Sequence, residues 1–327
     1  MRILVTGASG FVGRGLVPAL VRAGRVVRAA SRDPAALPPG ASVEPVCLTD
    51  LAASVDWSPL LDGVDAVVHL AGIAHRTGLA GDDYDRVVRA ATAELARACA
   101  ERARHLVFVS SIGAQAGSAA AHVVRETDPP RPVTAYDHAK LAAEAAVRDA
   151  GGPFTVLRPV LVYGPGVKGN MALLMRIAAS PWPLPFGGFE NRRSLVARDN
   201  LAEAIGFCLA APATRGETYV VADREALTLA EMITILRDAC GRPARLLPVS
   251  PPLIAGLLRA TGRAATWDRI GGSLVVDPAK LLAAGWRPLI DTPTGLAAMM
   301  RDRLAARPSD PGQAPPSSPP PRSLPER

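Results

Sequence analysis

Tyr136 and Lys140 stand four residues apart in Tyr136-Asp137-His138-Ala139-Lys140, a stretch that reads as helix until Gly151, Gly152 and Pro153 end it. That spacing puts both side chains on one helical face. A free tyrosine titrates near ~10 and is a weak base at neutral pH, but nearby cations favour the phenolate. Lowering it by about 3 units represents about 4 kcal/mol of differential interaction, a reasonable demand on two cations in a partly desolvated site. By itself the pair is a common pattern, usually an exposed helix pair. It gains meaning from Leu106 to Val109, a strand-like run that leads straight into Ser110 and Ser111, 25 residues before Tyr136. Hydroxyls at the carboxyl end of a buried strand lie where α/β folds build their sites, so the set suits proton transfer at a hydroxyl-bearing carbon.

The second chemical signal is Thr6-Gly7-Ala8-Ser9-Gly10-Phe11-Val12-Gly13, three glycines spaced between a strand and a helix. Glycines there permit a tight turn, backbone approach to a pyrophosphate and close helix-strand packing, while the helix N-terminus favours the anion. The context points to a dinucleotide site in which Gly7, Ser9, Gly10, Phe11, Val12 and Gly13 are the contacts. At the end of the second strand stand Ser31 and Arg32, with no carboxylate until Asp33. An acidic residue there would accept from a ribose 2'-hydroxyl, whereas Arg suits a 2'-phosphate. The cofactor is therefore NAD or NADP, with NADP slightly favoured; in the bland alternative Arg32 is only a solvated loop residue.

The elements that must position these groups alternate. Ile3 to Val5, Val26 to Ala30, Ala66 to Leu70, Leu106 to Val109 and Thr155 to Leu157 read as buried strands, and Gly13 to Ala23, Asp83 to Ala100 and Ala135 to Asp149 as helices. This rhythm predicts an α/β, Rossmann-type doubly wound parallel sheet. Beyond about residue 165 it gives way to shorter pieces and the Pro/Gly-rich Pro181 to Gly188. The expected organisation is a dinucleotide-binding domain over 1–165, a smaller C-terminal substrate lobe over 166–304 with some chain returning to the core, and a Pro-rich disordered tail over 305–327.

In the 327 residues, aromatics make up 4% and the net charge is +7, carried almost wholly by dispersed Arg, since the lysines are Lys140, Lys168 and Lys280. Dispersed charge without basic-aromatic interleaving argues against nucleic acid and fits a solvated surface or attraction for diphosphate ligands. Cysteines 47, 99, 208 and 240 are too scattered for a local metal cluster or a disulfide scaffold. Without a leader-like N-terminus or a long uncharged run, the chain is expected in the cytoplasm, away from membranes.

The ordered segments TGASGFVG at 6–13, HLAG at 69–72, FVSS at 108–111, YDHAK at 136–140, LRPVLVYGPG at 157–166, NRRSLVARDNL at 191–201 and VDPAKLLAAGWRP at 276–288 resemble the extended short-chain dehydrogenase/reductases. Within these the chain resembles the NAD-dependent epimerase/dehydratase family, UDP-glucose 4-epimerase-like subgroup, over about residues 1 to 300. The resemblance implies a catalytic triad of Ser111, Tyr136 and Lys140. It adds Leu48, Leu70, Ala71, Gly72 and Ser110 to the cofactor contacts, and gives Ser111, Asn170, Arg193 and Arg269 to a UDP-linked nucleotide-sugar substrate. It further implies a homodimer paired through helices near 83–100 and 135–149. Dehydratases of this family carry an Asp-Glu pair after the catalytic hydroxyl, where Ile112 and Gly113 stand here. What the resemblance leaves is epimerisation at C4 through a 4-keto intermediate or NADPH-dependent reduction of a 4-keto sugar. A non-catalytic dinucleotide sensor is the alternative of another class. Val88, Cys47 and Leu161 depart from the family's Asn, Asp and polar residue, and Arg198 interrupts an apolar stretch for no reason visible in the sequence.

Overall fold

Short β-branched runs bury on both faces only if helices cover both sides of a parallel sheet, and Ala-rich helices can approach such a sheet closely. The computed structural model, which describes residues 1–37, 40–72, 81–262 and 271–306, has this arrangement. In chain order the strands are β1 (Arg2–Thr6), β2 (Val26–Ser31), β3 (Val43–Cys47), β4 (Ala66–His69), β5 (His105–Val109), β6 (Phe154–Pro159), β7 (Leu161–Tyr163), β8 (Arg192–Ala197), β9 (Glu217–Val221) and β10 (Ala226–Thr228). Seven form a parallel sheet in the order β3-β2-β1-β4-β5-β6-β9. The order reverses at β1, where Thr6 pairs with Ala30 on one side and His69 on the other. A crevice at that switch point is where such sheets bind ligands.

Helices α1 (Gly13–Arg22), α2 (Ala91–Glu101), α3 (Ala135–Asp149), α4 (Gly169–Ala178), α5 (Arg198–Ala210), α6 (Leu229–Asp238) and α7 (Thr292–Ala305) supply the cover. On one face Leu16, Val17 and Leu20 of α1 join Leu201, Ile205 and Cys208 of α5; on the other, Leu95 and Cys99 of α2 join Ala139, Ala143 and Val147 of α3. Each fully buried Leu or Val contributes on the order of 1.5–3 kcal/mol.

Past β6 the chain lays down β7 and β8, returns to the large sheet as β9, and then adds β10 to complete a second, three-stranded sheet in the order β10-β8-β7. Its apolar cover includes Met171, Met175, Met232, Leu236 and Met299. Asn200, fully buried on α5, ties this region together: its amide nitrogen donates to Asp223 (2.7 Å) and to the Ile290 carbonyl (2.8 Å), while its oxygen accepts from the Leu289 and Ile290 amides.

One expected helix differs. The span expected as a single helix from Asp83 to Ala100 is a short α-turn (Gly81–Tyr84), a π-helical turn (Asp85–Ala90) and then α2. Within it the Thr92 hydroxyl donates to the Val88 carbonyl at 2.5 Å, and that backbone irregularity leaves no trace in hydrophobic periodicity. The tail expected from residue 305 lies outside the described residues from 307 onward, and α7 runs through Ala305. No helix among the described residues is long and apolar enough to cross a membrane.

Candidate active site

The cradle at the switch point is made from backbone. Gly7 takes φ +71°, and a Cβ there would stand 2.9 Å from the Ala71 nitrogen, so this turn packs directly on the segment after β4. A Cβ on Gly13 would lie 2.5 Å from the carbonyl oxygens of Gly7 and Ala8. The N-cap of α1, Val12, makes no side-chain capping bond, and in the first turn the Arg14 amide donates to the Gly10 carbonyl and the Gly15 amide to the Val12 carbonyl, both at 3.0 Å.

Hydroxyls stiffen this cradle. Thr6 Oγ1 lies 2.7 Å from His69 Nδ1 and accepts from the Ala71 amide, and His69 Nε2 lies 3.2 Å from Thr92 Oγ1. His69 is buried, which with the nearby Lys140 charge pushes it down to about 3, so the ring is neutral. Ser9 and Ser31 share a hydrogen bond of 2.7 Å, and Ser31 accepts from the Asp33 amide. Arg32 is exposed at the same strand end, while buried Leu48 donates its amide to the Ser31 carbonyl. Of the other expected cofactor contacts, Phe11, Leu70 and Ala71 line the turn half-buried, and Gly10 and Gly72 are exposed. Small residues, an uncapped helix start and an exposed Arg make a receptacle suited to a dinucleotide.

Tyr136 and Lys140 lie on the first turns of α3, whose start is fixed by a capping box between Thr134 and Asp137. Lys140 is buried, its Nζ donating to the Val109 carbonyl at 2.9 Å and lying 4.7 Å from the centre of the Phe108 ring. A Cβ on Gly72 would come within 4.0 Å of that Nζ, so the lysine faces the cradle. Burial pushes Lys140 down to about 8, opposed by Glu144. The expectation that this ammonium depresses the tyrosine is not met by the protein alone. The Tyr136 phenol is held above its ordinary value by burial, then by Asp137 and Tyr84, and Lys140 Nζ is 5.9 Å from the Tyr136 ring centre, turned to a carbonyl.

Ser111 and Tyr136 are brought to the same end of the sheet through Gly113. Ser111 Oγ accepts from the Gly113 amide at 3.0 Å, and a Cβ on Gly113 would overlap the Asp137 carboxylate while standing 3.3 Å from Ser111 Oγ. Position 113 thus has no room for a side chain. The neighbouring Ser110 hydroxyl donates to Glu144 at 2.6 Å.

Of the expected substrate contacts, Asn170 is exposed in the first turn of α4, and Arg193 sits half-buried on β8 with Nη2 donating to the Ser118 carbonyl at 3.3 Å. Arg193 Nε is buried with no hydrogen-bond partner among the described residues, an open donor. Arg269 lies outside the described residues. Leu161 is exposed on β7 and Cys47 at the end of β3.

Arg198 now has an account. Its guanidinium lies 5.6 Å from the Phe11 ring centre and donates to the Pro165 carbonyl at 2.9 Å, and its side chain covers Gly15, where a Cβ would come within 2.6 Å of Nε. It bolts α5 onto the glycine turn. Neither this contact nor the Glu144 cluster was anticipated. A lone Arg within an apolar stretch and a Glu four residues after Lys140 were the available signals.

Comparison with known proteins agrees with this geometry. A model of the NAD dependent epimerase/dehydratase family matches residues 3–222. UDP-glucose 4-epimerase of Vibrio cholerae is 32% identical over 303 residues, 88% of this chain and 90% of that one. 2'-dehydrokanamycin reductase of Streptomyces kanamyceticus is 34% identical over 271 residues, 77% of this chain and 70% of that one. The solved structure of the Bordetella bronchiseptica enzyme WbmG in complex with NAD and UDP shares the fold, with a TM-score of 0.75 at 19% identity over 93% of this chain and 95% of that one. The chain is an NAD(P)-dependent enzyme that belongs to the NAD dependent epimerase/dehydratase family.

Proposed function

We propose that the protein is a nucleotide-sugar epimerase acting at C4 through a 4-keto intermediate. The observation that carries this reading is the gathering of Ser111, Tyr136 and Lys140 at the carboxyl end of β5, with Lys140 facing the glycine cradle through Gly72. The likeness to UDP-glucose 4-epimerase along nearly the whole chain supports the substrate class.

Bound NAD(P) supplies the hydride acceptor and donor. Gly7, Gly10 and Gly13 admit its pyrophosphate to the start of α1, with Ser9, Phe11 and Val12 completing the turn. Ser31, Arg32 and Leu48 would hold the adenosine end, and Leu70, Ala71, Gly72 and Ser110 the nicotinamide end. Tyr136 takes the proton from the sugar hydroxyl as that carbon becomes a ketone and returns it when the ketone is reduced on its other face. The protein alone holds the phenol high, so its own groups do not favour the phenolate; an oxidised cofactor would, when bound, supply positive charge that does. Ser111 hydrogen-bonds the carbonyl oxygen, and Lys140 would hold the ribose of the bound cofactor. Asn170, Arg193 and Arg269 meet the diphosphate, Arg193 through its open Nε donor. Dehydration would need an acid and a base just after Ser111, and Gly113 leaves no space for one.

A second reading, NADPH-dependent 4-ketoreductase, is favoured by one feature, the exposed Arg32 beside the Ser9 and Ser31 hydroxyls. Denaturing the purified protein and identifying the nucleotide released separates the two. Stoichiometric NAD that survives dialysis, with interconversion of UDP-glucose and UDP-galactose, supports the epimerase; an empty site that prefers NADPH supports the reductase. Substituting Tyr136→Phe is expected to lower turnover about 10³-fold while cofactor affinity stays within about twofold. If turnover persists in that variant, Tyr136 is not the proton carrier. Pairing of two chains through the helices at 91–101 and 135–149 predicts a dimer mass by light scattering.

A further inference from the structure

Helix α3 carries a third buried polar group. Glu144, one turn beyond Lys140, is fully buried, and its Oε1 accepts from the Ser110 hydroxyl at 2.6 Å while Lys140 donates to Val109. Successive turns of the helix therefore grip successive residues of the chain immediately before Ser111. Arg158 on β6 closes the carboxylate from the other side with Nε at 2.9 Å and Nη2 at 2.6 Å, and its Nη1 donates to the Gln115 side chain. Gln115 in turn donates to the Asp128 carbonyl at 2.6 Å and accepts the Arg131 amide, fixing the loop that leads to Thr134 and Tyr136. Arg148 adds a contact to Glu144 at 3.1 Å from the surface side. A buried ion pair is weak support for stability against an apolar pair of similar size, so its place under the site points to positioning.

We propose that Glu144 is a positioning residue for the reaction: it holds Ser110, sets the end of β5 against Tyr136 and Lys140, and places a negative charge one helical turn from Lys140. Arg158 and Gln115 hold Glu144 in turn. This rests on the reading of Lys140 as part of the active site. Among the described residues, the groups around Lys140 are Tyr136, Asp137 and Glu144 of α3, Tyr84 of the turn before the π-helix, neutral His69 of β4, and Arg158 of β6 behind Glu144. Phe108 and Gly72 bring no charge. Glu144 is the neighbour that opposes the loss of the Lys140 proton on burial.

With three lysines in the chain, selective ¹³C-lysine labelling of the full-length protein follows Lys140 directly by NMR, its signal assigned by its absence in Lys140→Met. In the wild type it should titrate near about 8. Glu144→Gln leaves Arg158 uncompensated and is expected to move the inflection down by about one unit; Arg158→Met leaves the carboxylate with fewer cations and moves it up. A merely structural Glu144 predicts no shift, or shifts of one sense in both variants, and either result overturns the proposal. Should a single variant fail to fold, Glu144→Gln/Arg158→Met, neutral for neutral, carries the test. Loss of the nearer charge puts its inflection below wild type, and an unmoved inflection sinks the idea. The titration needs no substrate, so it stands even if every nucleotide sugar proves inert, an outcome that would instead reject the proposed function.

Discussion

The two sides of the candidate site are built from different materials. On the cradle side, the turn from Gly7 to Gly13 is shaped by backbone packing that leaves no space for a Cβ at Gly7 or Gly13, and the buried His69 ring is locked between two threonines. Opposite it, the small sheet and its neighbours rely on long arginines whose partners are carbonyls: Arg192 on Ala226, Arg193 on Ser118, Arg237 on Ser180 and Trp182. Backbone geometry suits a ligand group that never varies, such as a pyrophosphate. Side chains suit one that differs between enzymes, because a substitution changes them without disturbing the strand that bears them.

The contrast can be broken at its strongest point with Gly13→Val. Overlap with two backbone carbonyls has no side chain to absorb it, and a cost of about 3 kcal/mol is expected to weaken cofactor binding roughly 100-fold. Calorimetry with NAD and NADPH checks this; retained affinity would mean the turn is softer than described. On the other side, Arg193→Met should raise the KM for a UDP-sugar about 30-fold, the loss of charge-assisted bonds worth about 2 kcal/mol, with cofactor affinity unchanged. A change in both constants would erase the distinction between the halves. Milder is Arg32→Ser, expected to shift the NADPH to NADH preference about tenfold toward NADH, as read from the ratio of dissociation constants.

The gentlest test needs no substitution. His69, pushed down to about 3, and His105, pushed down to about 4, both by burial first, stay uncharged in the folded protein, whereas an unfolded histidine takes up a proton near 6.5. The unfolded chain therefore binds more protons between about pH 4 and 6.5, so stability rises with pH through that window and is lost as pH falls. Each histidine contributes a slope of about 1.4 kcal/mol per pH unit. Urea unfolding at intervals from pH 7 to 5 measures it; a flat profile would show that neither ring is held neutral.

Much of the cradle was legible in the sequence because its parts are local. A glycine spacing, the strand before it and the helix after it lie within about twenty residues, and the five strands read from apolar runs all occur with ends within two residues of their expected places. The strands β3, β7, β8, β9 and β10 were not read: Val43–Cys47 contains Glu44 and Pro45, and Leu161–Tyr163 and Ala226–Thr228 are three residues long, too short for a period of two to register. Harder still were the contacts between distant residues. Arg198 over Phe11 joins positions 187 apart, and Gly113 gained its meaning only when Asp137 was found filling the space a side chain would need. Type and spacing along the chain carry no record of such encounters.

The return of β9 to the edge of β6 has a consequence for synthesis. Between Pro159 and Glu217 the ribosome adds nearly sixty residues, about 3–12 s of work at ~5–20 residues per second. Throughout that interval β6 can present an unpaired apolar edge to other nascent chains. A stalled or truncated product ending before residue 217 would carry α3 and the whole glycine turn yet be prone to aggregate. Chaperone demand for this protein should therefore concentrate in that window of translation.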